Sequence, residues 1–458
     1  MKFLRFSFQS RKILLFLCEG GLIFSSVMAG VYLRLGTFQY ESVVLKAFVT
    51  VSVCLVCLYY TDLYNIRIIR DLRELLFRLI QALGASSILL AGIYYLYPQL
   101  IIGRGISLIA AVIIFFSIFT WRLLYRWFLM SRGMEENILI IGTTPLAFAL
   151  AGEISTHRTL GYRVIGFIGE EAGVSVGNPV ELPVLGTCND IPEVVKKYAI
   201  SRIIVSVSER RGKLPMDVLL KCKMGGVEID EGVGFYEWIT GKILVDKLRP
   251  SWLVFSSGFK KDQLTRVSKR VSEMILSFML LLFLMPLVIF IALLIKIESR
   301  GPVFFKQERV GEHGRTFVLY KFRSMREDAE EKTGPVWAEG EDGRVTRVGK
   351  ILRKIRLDEI PQLWNVLKGD MSIVGPRPER PFFVEQLSRE IPFYNERHSV
   401  KPGITGWAQV RYEYGASVED ALEKLQYDLF YIKHMSLLLD LEVIIDTLKV
   451  VFLGRGAR

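Results

Sequence analysis

Four long apolar runs precede residue 131, at about 13–33, 43–60, 75–97 and 106–129, each near the ~20 residues that cross the hydrocarbon core of a bilayer. They predict four transmembrane helices. The first run is longer than the apolar stretch of a cleavable signal peptide and further spans follow it, so it is expected to be retained. Lys2, Arg5, Arg11 and Lys12 precede the first span, Arg67, Arg70 and Arg73 lie between the second and third, and Arg122, Arg126 and Arg132 end the fourth. The two remaining loops carry only Arg34 and Arg104, so the charge bias places everything after the fourth span in the cytoplasm.

A fifth apolar run, 271–295, is long enough to cross, but Pro286 near its middle removes a helical hydrogen bond. Lys260, Lys261, Arg266, Lys269 and Arg270 flank it on one side, and Lys296, Arg300, Lys306 and Arg309 on the other. Basic residues at both ends favour two cytoplasmic ends, hence a broken helix over 271–297 that enters one leaflet and returns. On length alone an ordinary kinked span is the alternative.

Between 134 and 257 the period changes. Short β-rich runs (NILIIG, YRVIGFIG, RIIVSVS) alternate with helical ones, the first through Ala147 to Ile154, as in an open parallel α/β sheet. The turn after the first strand has one glycine, Gly142, where a dinucleotide fingerprint has three, which favours a structural or regulatory Rossmann-like domain over a cofactor site. No catalysis is assigned there.

The expected architecture is therefore a multidomain membrane protein: a four-helix transmembrane domain (1–133), a Rossmann-like α/β domain (134–257) and a mainly α, α+β catalytic domain (258–458) with the re-entrant helix. A length of 458 residues and a hydrophobic content of 51% agree with several modules, some of them in lipid. A net charge of +12 suits nucleic acid, an anionic bilayer or phosphorylated substrates, and nucleic acid leaves the membrane runs unexplained. The five cysteines form no two-pair metal pattern and read as reduced core residues. His157, His313, His398 and His434 are scattered, which gives little support to a zinc site or a Ser/His/Asp triad.

The densest set of cations and carboxylates follows Gly301, in GPVFFKQERVG, YKFRSM, LRKIRLDEIPQLWNVLKGDMSIVGPRPE and KPGITGWAQV. Leu363, Trp364 and Leu367 recur at helical spacing after Pro361, so a short helix is expected from Ile360 or Pro361. Asp358 and Glu359 then stand at its N-terminal end, where free N–H groups and the helix dipole favour an ionised carboxylate. A positioned aspartate is a plausible nucleophile toward phosphorus. Lys321, Arg323, Arg353, Arg356 and Arg377 would neutralise the repulsion between it and a diphosphate. Glu359 is a natural ligand for Mg²⁺, which typically takes one or two carboxylates plus phosphate oxygens.

From about Lys269 onward, these segments closely resemble the bacterial sugar transferase family of polyprenyl-phosphate phosphoglycosyl transferases. The leading spans and the Rossmann-like insert resemble its large members, which initiate exopolysaccharide, capsule or O-antigen units. The resemblance implies a bacterial inner-membrane enzyme with its catalytic domain on the cytoplasmic face. Asp358 would attack the β-phosphate of a UDP-sugar and release UMP; polyprenyl phosphate would then displace the aspartate, with Glu359 binding Mg²⁺. It also implies a nucleotide-side segment at Pro376, Arg377 and Pro378. The implied partners are UDP-sugar, polyprenyl phosphate and membrane lipid; self-association stays open and nucleic acid is not expected. Two departures stand out. Met285 precedes Pro286 where the family often has Ser, and Val410 is followed by Arg411, Tyr412, Glu413, Tyr414 and Gly415 in place of Asn-Gly-Arg-Asn, which leaves the sugar's identity open.

A glycosidase fits poorly, because its two carboxyls flank the sugar about 5 to 9 Å apart rather than sharing one helix start. A transporter would need polar residues inside the spans, where Glu19 is nearly the only acidic one. The tail from Leu437 to Phe452 is amphipathic, and either lies on the leaflet or packs on the domain core.

Overall fold

The computed structural model describes residues 8–38, 40–61, 63–64, 72–131, 136–156, 161–169, 182–207, 214–245, 256–325, 344–412, 415 and 417–453. Lys2, Arg5, Arg67, Arg70, Arg132, His157, Glu413 and Tyr414 lie outside them, as do the side chains of Arg11 and Lys12. The chain divides into two compact units: Met1–Gly142, Ala151–Ile203 and Glu209–Ile229 form one, and Thr143–Leu150, Ile204–Ser208 and Asp230–Arg458 the other.

In the first unit, α1 (Phe8–Leu35), α2 (Val43–Tyr60), α3 (Leu72–Leu96) and α4 (Arg104–Ser131) each contain a stretch long and apolar enough to cross a membrane. Ile23, Val27 and Val31 of α1 are buried together with Ala110, Ile114 and Ile118 of α4. A Cβ at Gly30 would come within 3.2 Å of Ala110, so a small residue there lets the two helices approach closely. The lone acidic residue of the first span is accounted for: Glu19 pairs with Arg122 at 2.6 Å, both fully buried, and Arg122 also donates to the Leu63 carbonyl. An unpaired charge at that depth would be expensive, so the pair acts as a brace of the bundle rather than a transport pathway.

The α/β region holds β1 (Glu136–Ile141), α5 (Pro145–Thr156), β2 (Tyr162–Ile168), β3 (Val184–Gly186), α6 (Ile191–Lys197), β4 (Arg202–Val205), α7 (Met216–Met224), β5 (Glu228–Glu231) and α8 (Gly232–Thr240). Its five strands are ordered β3-β2-β1-β4-β5, and β2 runs parallel to both neighbours. Ile138, Leu139, Ile140 and Ile141 are all buried, the continuous apolar run of a parallel strand covered on both faces. After Gly142, whose φ is +106°, the Thr144 hydroxyl accepts from Ala147 N at 3.2 Å and so caps the first turn of α5.

The second unit contains the long apolar helix α9 (Gln263–Glu298), with Pro286 inside it, and an antiparallel hairpin of β6 (Phe304–Val310) and β7 (Thr316–Phe322). There follow α10 (Arg347–Lys354), α11 (Gln362–Lys368), β8 (Ser372–Val374), α12 (Pro381–Glu390), β9 (Gly403–Thr405), α13 (Trp407–Arg411), α14 (Val418–His434) and α15 (Leu437–Leu453). The expected four apolar helices, parallel α/β sheet and mainly helical C-terminal region with a long apolar helix are thus all present. The core gathers Val366, Met371, Leu425, Leu429, Ile432 and Val443. Ile243 and Val245 join it at 1% exposure each, and Ile243 N donates to Gln426 O at 3.1 Å. On α15, Leu439 and Val443 are buried while Leu438, Leu441 and Leu448 are exposed, so the tail packs on the core and keeps a second apolar face outward.

Candidate active site

The Asp-Glu doublet lies on a 3-10 turn, Leu357–Glu359, and the α-helix behind it starts at Gln362 with Pro361 as its cap. The carboxylates therefore precede the helix by a full turn instead of occupying its first positions, so the dipole is a weaker influence than the sequence suggested. Arg356 enters the turn with φ +55°, a left-handed conformation that costs a non-glycine residue energy and sharply redirects the chain.

Asp358 and Glu359 are each only 8% exposed. Lys321 Nζ and Arg377 Nη2 both donate to Glu359 Oε1 at 2.9 Å. Lys321 is held by its strand: Tyr320 N donates to Asn365 Oδ1 at 3.1 Å, and Asn365 Nδ2 donates to Val318 O at 2.7 Å, with Asn365 wholly buried on α11. A buried Asn in the middle of a helix is a poor helix former that needs partners, and that was its signal in the sequence.

Arg377 is placed by backbone. The short parallel pair β8 and β9 joins the DMSIVGPRP and KPGITGW segments, Gly375 N donates to Thr405 O, and Gly403 N donates to Pro376 O, both at 2.9 Å. A Cβ at Gly375 would collide with Lys401 O, and one at Gly406 with Gly375 O, so only glycine permits this approach. Pro376 and Pro378 are buried, and Pro378 O accepts from Arg309 at 3.1 Å. Arg397, which sequence reasoning passed over, donates to Arg377 O at 3.0 Å and pairs with buried Asp428 at 2.8 Å. Burial pushes the Asp428 carboxyl up to about 6, against the pull of Arg397.

The two adjacent carboxyls have divergent acidities. Burial raises Asp358 above the ordinary carboxylate value, Lys321 opposes this, Glu359 adds to it, and Arg377 and Arg353 oppose it further. Burial acts in the same direction on Glu359, but Arg377 and Lys321 overcome it and hold that carboxyl well below the usual range. Pairs whose environments separate their pKa values divide roles between them. Of the two, Glu359 is the more firmly held anion and Asp358 the one on which charge is more costly.

Lys321 and Arg377 are thus brought into contact with Glu359, and Arg353 acts on Asp358 through its charge. Arg323 does neither: it is buried and donates to the carbonyls of Ser299 and Arg300 at 3.0 Å each, and so caps the end of α9. Among the described residues, no three His, Cys, Asp or Glu side chains group as a metal site. The two donors to Glu359 share Oε1, and a cation that draws its other ligands from phosphate oxygens and water would need little more than Oε2.

The family described as "Bacterial sugar transferase" matches residues 264–454, and that described as "CoA-binding domain" matches residues 59–229. The UDP-N-acetylgalactosamine-undecaprenyl-phosphate N-acetylgalactosaminephosphotransferase of Aeromonas hydrophila is 42% identical over 240 residues, 52% of this chain and 56% of that protein. The UDP-glucose:undecaprenyl-phosphate glucose-1-phosphate transferase of Xanthomonas campestris pv. campestris is 33% identical over 366 residues, 76% of this chain and 71% of that protein. Its namesake from Klebsiella pneumoniae is 42% identical over 334 residues, 70% and 69% of the two chains. The chain therefore spans between about half and seven-tenths of the length of these relatives.

Proposed function

We propose that this chain, which belongs to the bacterial sugar transferase family, transfers a sugar 1-phosphate from a UDP-sugar to undecaprenyl phosphate. In the first half-reaction an Asp358 oxygen attacks the β-phosphorus, the bond from that phosphorus to the bridging oxygen breaks, and UMP departs. In the second, an oxygen of the acceptor phosphate attacks the same phosphorus and the bond to Asp358 breaks, which restores the carboxylate and yields polyprenyl diphospho-sugar. The observation that carries this reading is the burial of Asp358 within the field of Lys321, Arg353 and Arg377. These cations remove the repulsion between nucleophile and diphosphate and stabilise charge on the departing phosphate. Arg377 also fixes the nucleotide end, as the flanking Pro376 and Pro378 keep its turn rigid.

A divalent cation, expected to be Mg²⁺, would be held by Glu359 and would polarise the diphosphate oxygens. Lys321 and Arg377 keep Glu359 ionised for that purpose, and Lys321, Arg377 and Arg353 favour the charged form of Asp358 against its burial. Arg323 contributes through the end of α9, not through contact with substrate.

The membrane arrangement belongs to the same proposal: α9 re-enters the cytoplasmic leaflet, and the site faces the cytosol where UDP-sugars are made. Both arms of α9 fasten on one unit, which supports re-entry. Arg270 donates to the Val366 and Leu367 carbonyls, and Ile291 and Ile295 share a core with Ile360 and Leu363. A straight helix would carry Ile291 about 31 Å from Arg270. Single cysteines at Lys261 and Glu312 should both resist an impermeant thiol reagent in intact spheroplasts; labelling of 312 alone would establish a crossing.

The activity is tested by UMP release from a panel of UDP-sugars by membranes containing the protein and undecaprenyl phosphate. Release with at least one sugar, lost in Asp358→Asn, is expected; no release with any would refute the assignment.

A further inference from the structure

Beside Glu359 opens a cavity of about 230 Å³ that the chemistry above does not use. Glu359, Ile360 and Leu363 reach it from the active-site segment, Ile404 from β9, Val410 from α13, Val450 from α15, and Ile355 and Arg356 from the end of α10 and the turn after it. Resting on the transferase reading, we propose that this cavity receives the first isoprene units of the polyprenyl phosphate, with the acceptor's phosphate held outside it toward Asp358.

The wall decides the occupant. Thr405 and Thr447 line it too, but their hydroxyls lie 2.7 Å apart and bond each other, and Thr447 also donates to Val443 O at 2.7 Å. Arg356, the cation of the lining, suits the acceptor's phosphate, whereas a sugar seated among the aliphatic side chains would leave hydroxyls unpaired and an isoprenoid chain would gain by burial there. The volume lies below the ~300–1,000 Å³ of pockets that enclose a drug-sized ligand, which suits the head of a chain and not a nucleotide. A long chain also needs an exit. Ile355 is 42% exposed, and Ile351 on α10 and Leu441 and Leu448 on α15 are exposed as well, so the two elements that wall the cavity also carry outward apolar surface of the kind a bilayer would cover. Gln409 Oε1, a buried oxygen with no hydrogen-bond partner, also lines the cavity and is a group that a sugar seated there would use.

The test uses the full chain in lipid nanodiscs and reads the two half-reactions apart. Val450→Trp fills the cavity from the tail, and the KM for undecaprenyl phosphate should rise at least about tenfold while UMP release in the absence of acceptor stays within about twofold. Gln409→Leu should leave the preference among UDP-sugars unchanged. Independently of turnover, a polyprenyl phosphate with a diazirine on its first isoprene should crosslink to the wild-type peptides around Ile360 and Ile404. A changed sugar preference in Gln409→Leu, an unaltered acceptor KM in Val450→Trp, or crosslinks only elsewhere would each overturn the proposal. If acceptor-free UMP release fails in wild type while release with acceptor persists and the probe still marks these peptides, it is the covalent mechanism that falls and not the cavity's occupant.

Discussion

Lys269, on the first arm of α9, is the strongest structural prediction in the molecule. Its ammonium is buried and lies 2.7 Å from Asp440 Oδ2, 2.9 Å from Glu273 Oε1, and 3.1 Å from both Tyr431 OH and Val374 O. Tyr431 OH in turn donates to Asp440 Oδ1 at 2.6 Å. One buried cation thus ties the long helix to α14, to α15 and to the strand that leads into Arg377. Lys269→Met leaves two carboxyls without their counter-charge, a change that typically costs about 3–5 kcal/mol. Two features reduce this. Glu273 keeps the Ser372 hydroxyl and Ile373 N as donors, and burial already raises the Asp440 carboxyl, so it can take up a proton. The lower end, about 3 kcal/mol, is therefore expected, which for a unit of this size lowers Tm by roughly 6–12 °C. Adding Asp440→Asn removes the stranded charge and should restore at least half of the loss. Thermal unfolding of the detergent-solubilised full chain, followed by tryptophan fluorescence, measures all three proteins. A single variant within about 2 °C of wild type, the range of an ordinary surface change, would refute the reasoning, as would a double variant less stable than the single.

Glu359→Gln should leave Tm within a few degrees yet abolish the Mg²⁺ dependence of turnover; a metal titration curve identical to wild type would remove Glu359 as the ligand. Asp358 must be ionised to attack, and its carboxyl lies above the ordinary value, so UMP release should fail on the acid side at a higher pH than a free aspartate would give. Lys321→Gln withdraws a charge that lowers this carboxyl, so the acid limb of the residual rate should move to still higher pH, and a shift to lower pH would contradict the electrostatics. Ile243→Ala removes a side chain from the core of the second unit and should cost about 2–5 kcal/mol, read as a drop in Tm, whereas Lys260→Ala should be nearly silent.

The spans were legible because period and length are local: the second runs over Val43–Tyr60 as expected, and the others lie within a few residues of expectation. The α/β alternation was legible for the same reason. Within the site, Asp358, Glu359, Lys321, Arg353 and Arg377 could be nominated from charge in a dense set of motifs; Lys321 and Arg377 bond Glu359, and Arg353 acts on Asp358 through its charge alone. Arg323 could not be told from its neighbours, since nothing in YKFRSM shows that β7 ends at Phe322, with Lys321 on the strand at Glu359 and Arg323 just past it at the end of α9. The supports were hidden for a deeper reason. Asp428 lies 31 residues beyond Arg397, and Asp440 171 beyond Lys269, and a buried ion pair between distant residues leaves no periodic trace. The start of α11 was placed too early because Pro361 suits a first helical turn, whereas here it caps the helix behind a 3-10 turn.

The proposed reaction turns on a covalent bond between Asp358 and phosphorus, which can be looked for in the first half-reaction alone. The purified full chain is incubated with UDP-sugar and Mg²⁺ without acceptor, quenched in acid, digested and mapped by mass spectrometry. A sugar-phosphate adduct is expected on the peptide containing Asp358, stoichiometric with UMP released and discharged when undecaprenyl phosphate is added. UMP release with no adduct on that peptide, or an adduct that persists in Asp358→Asn, would contradict it.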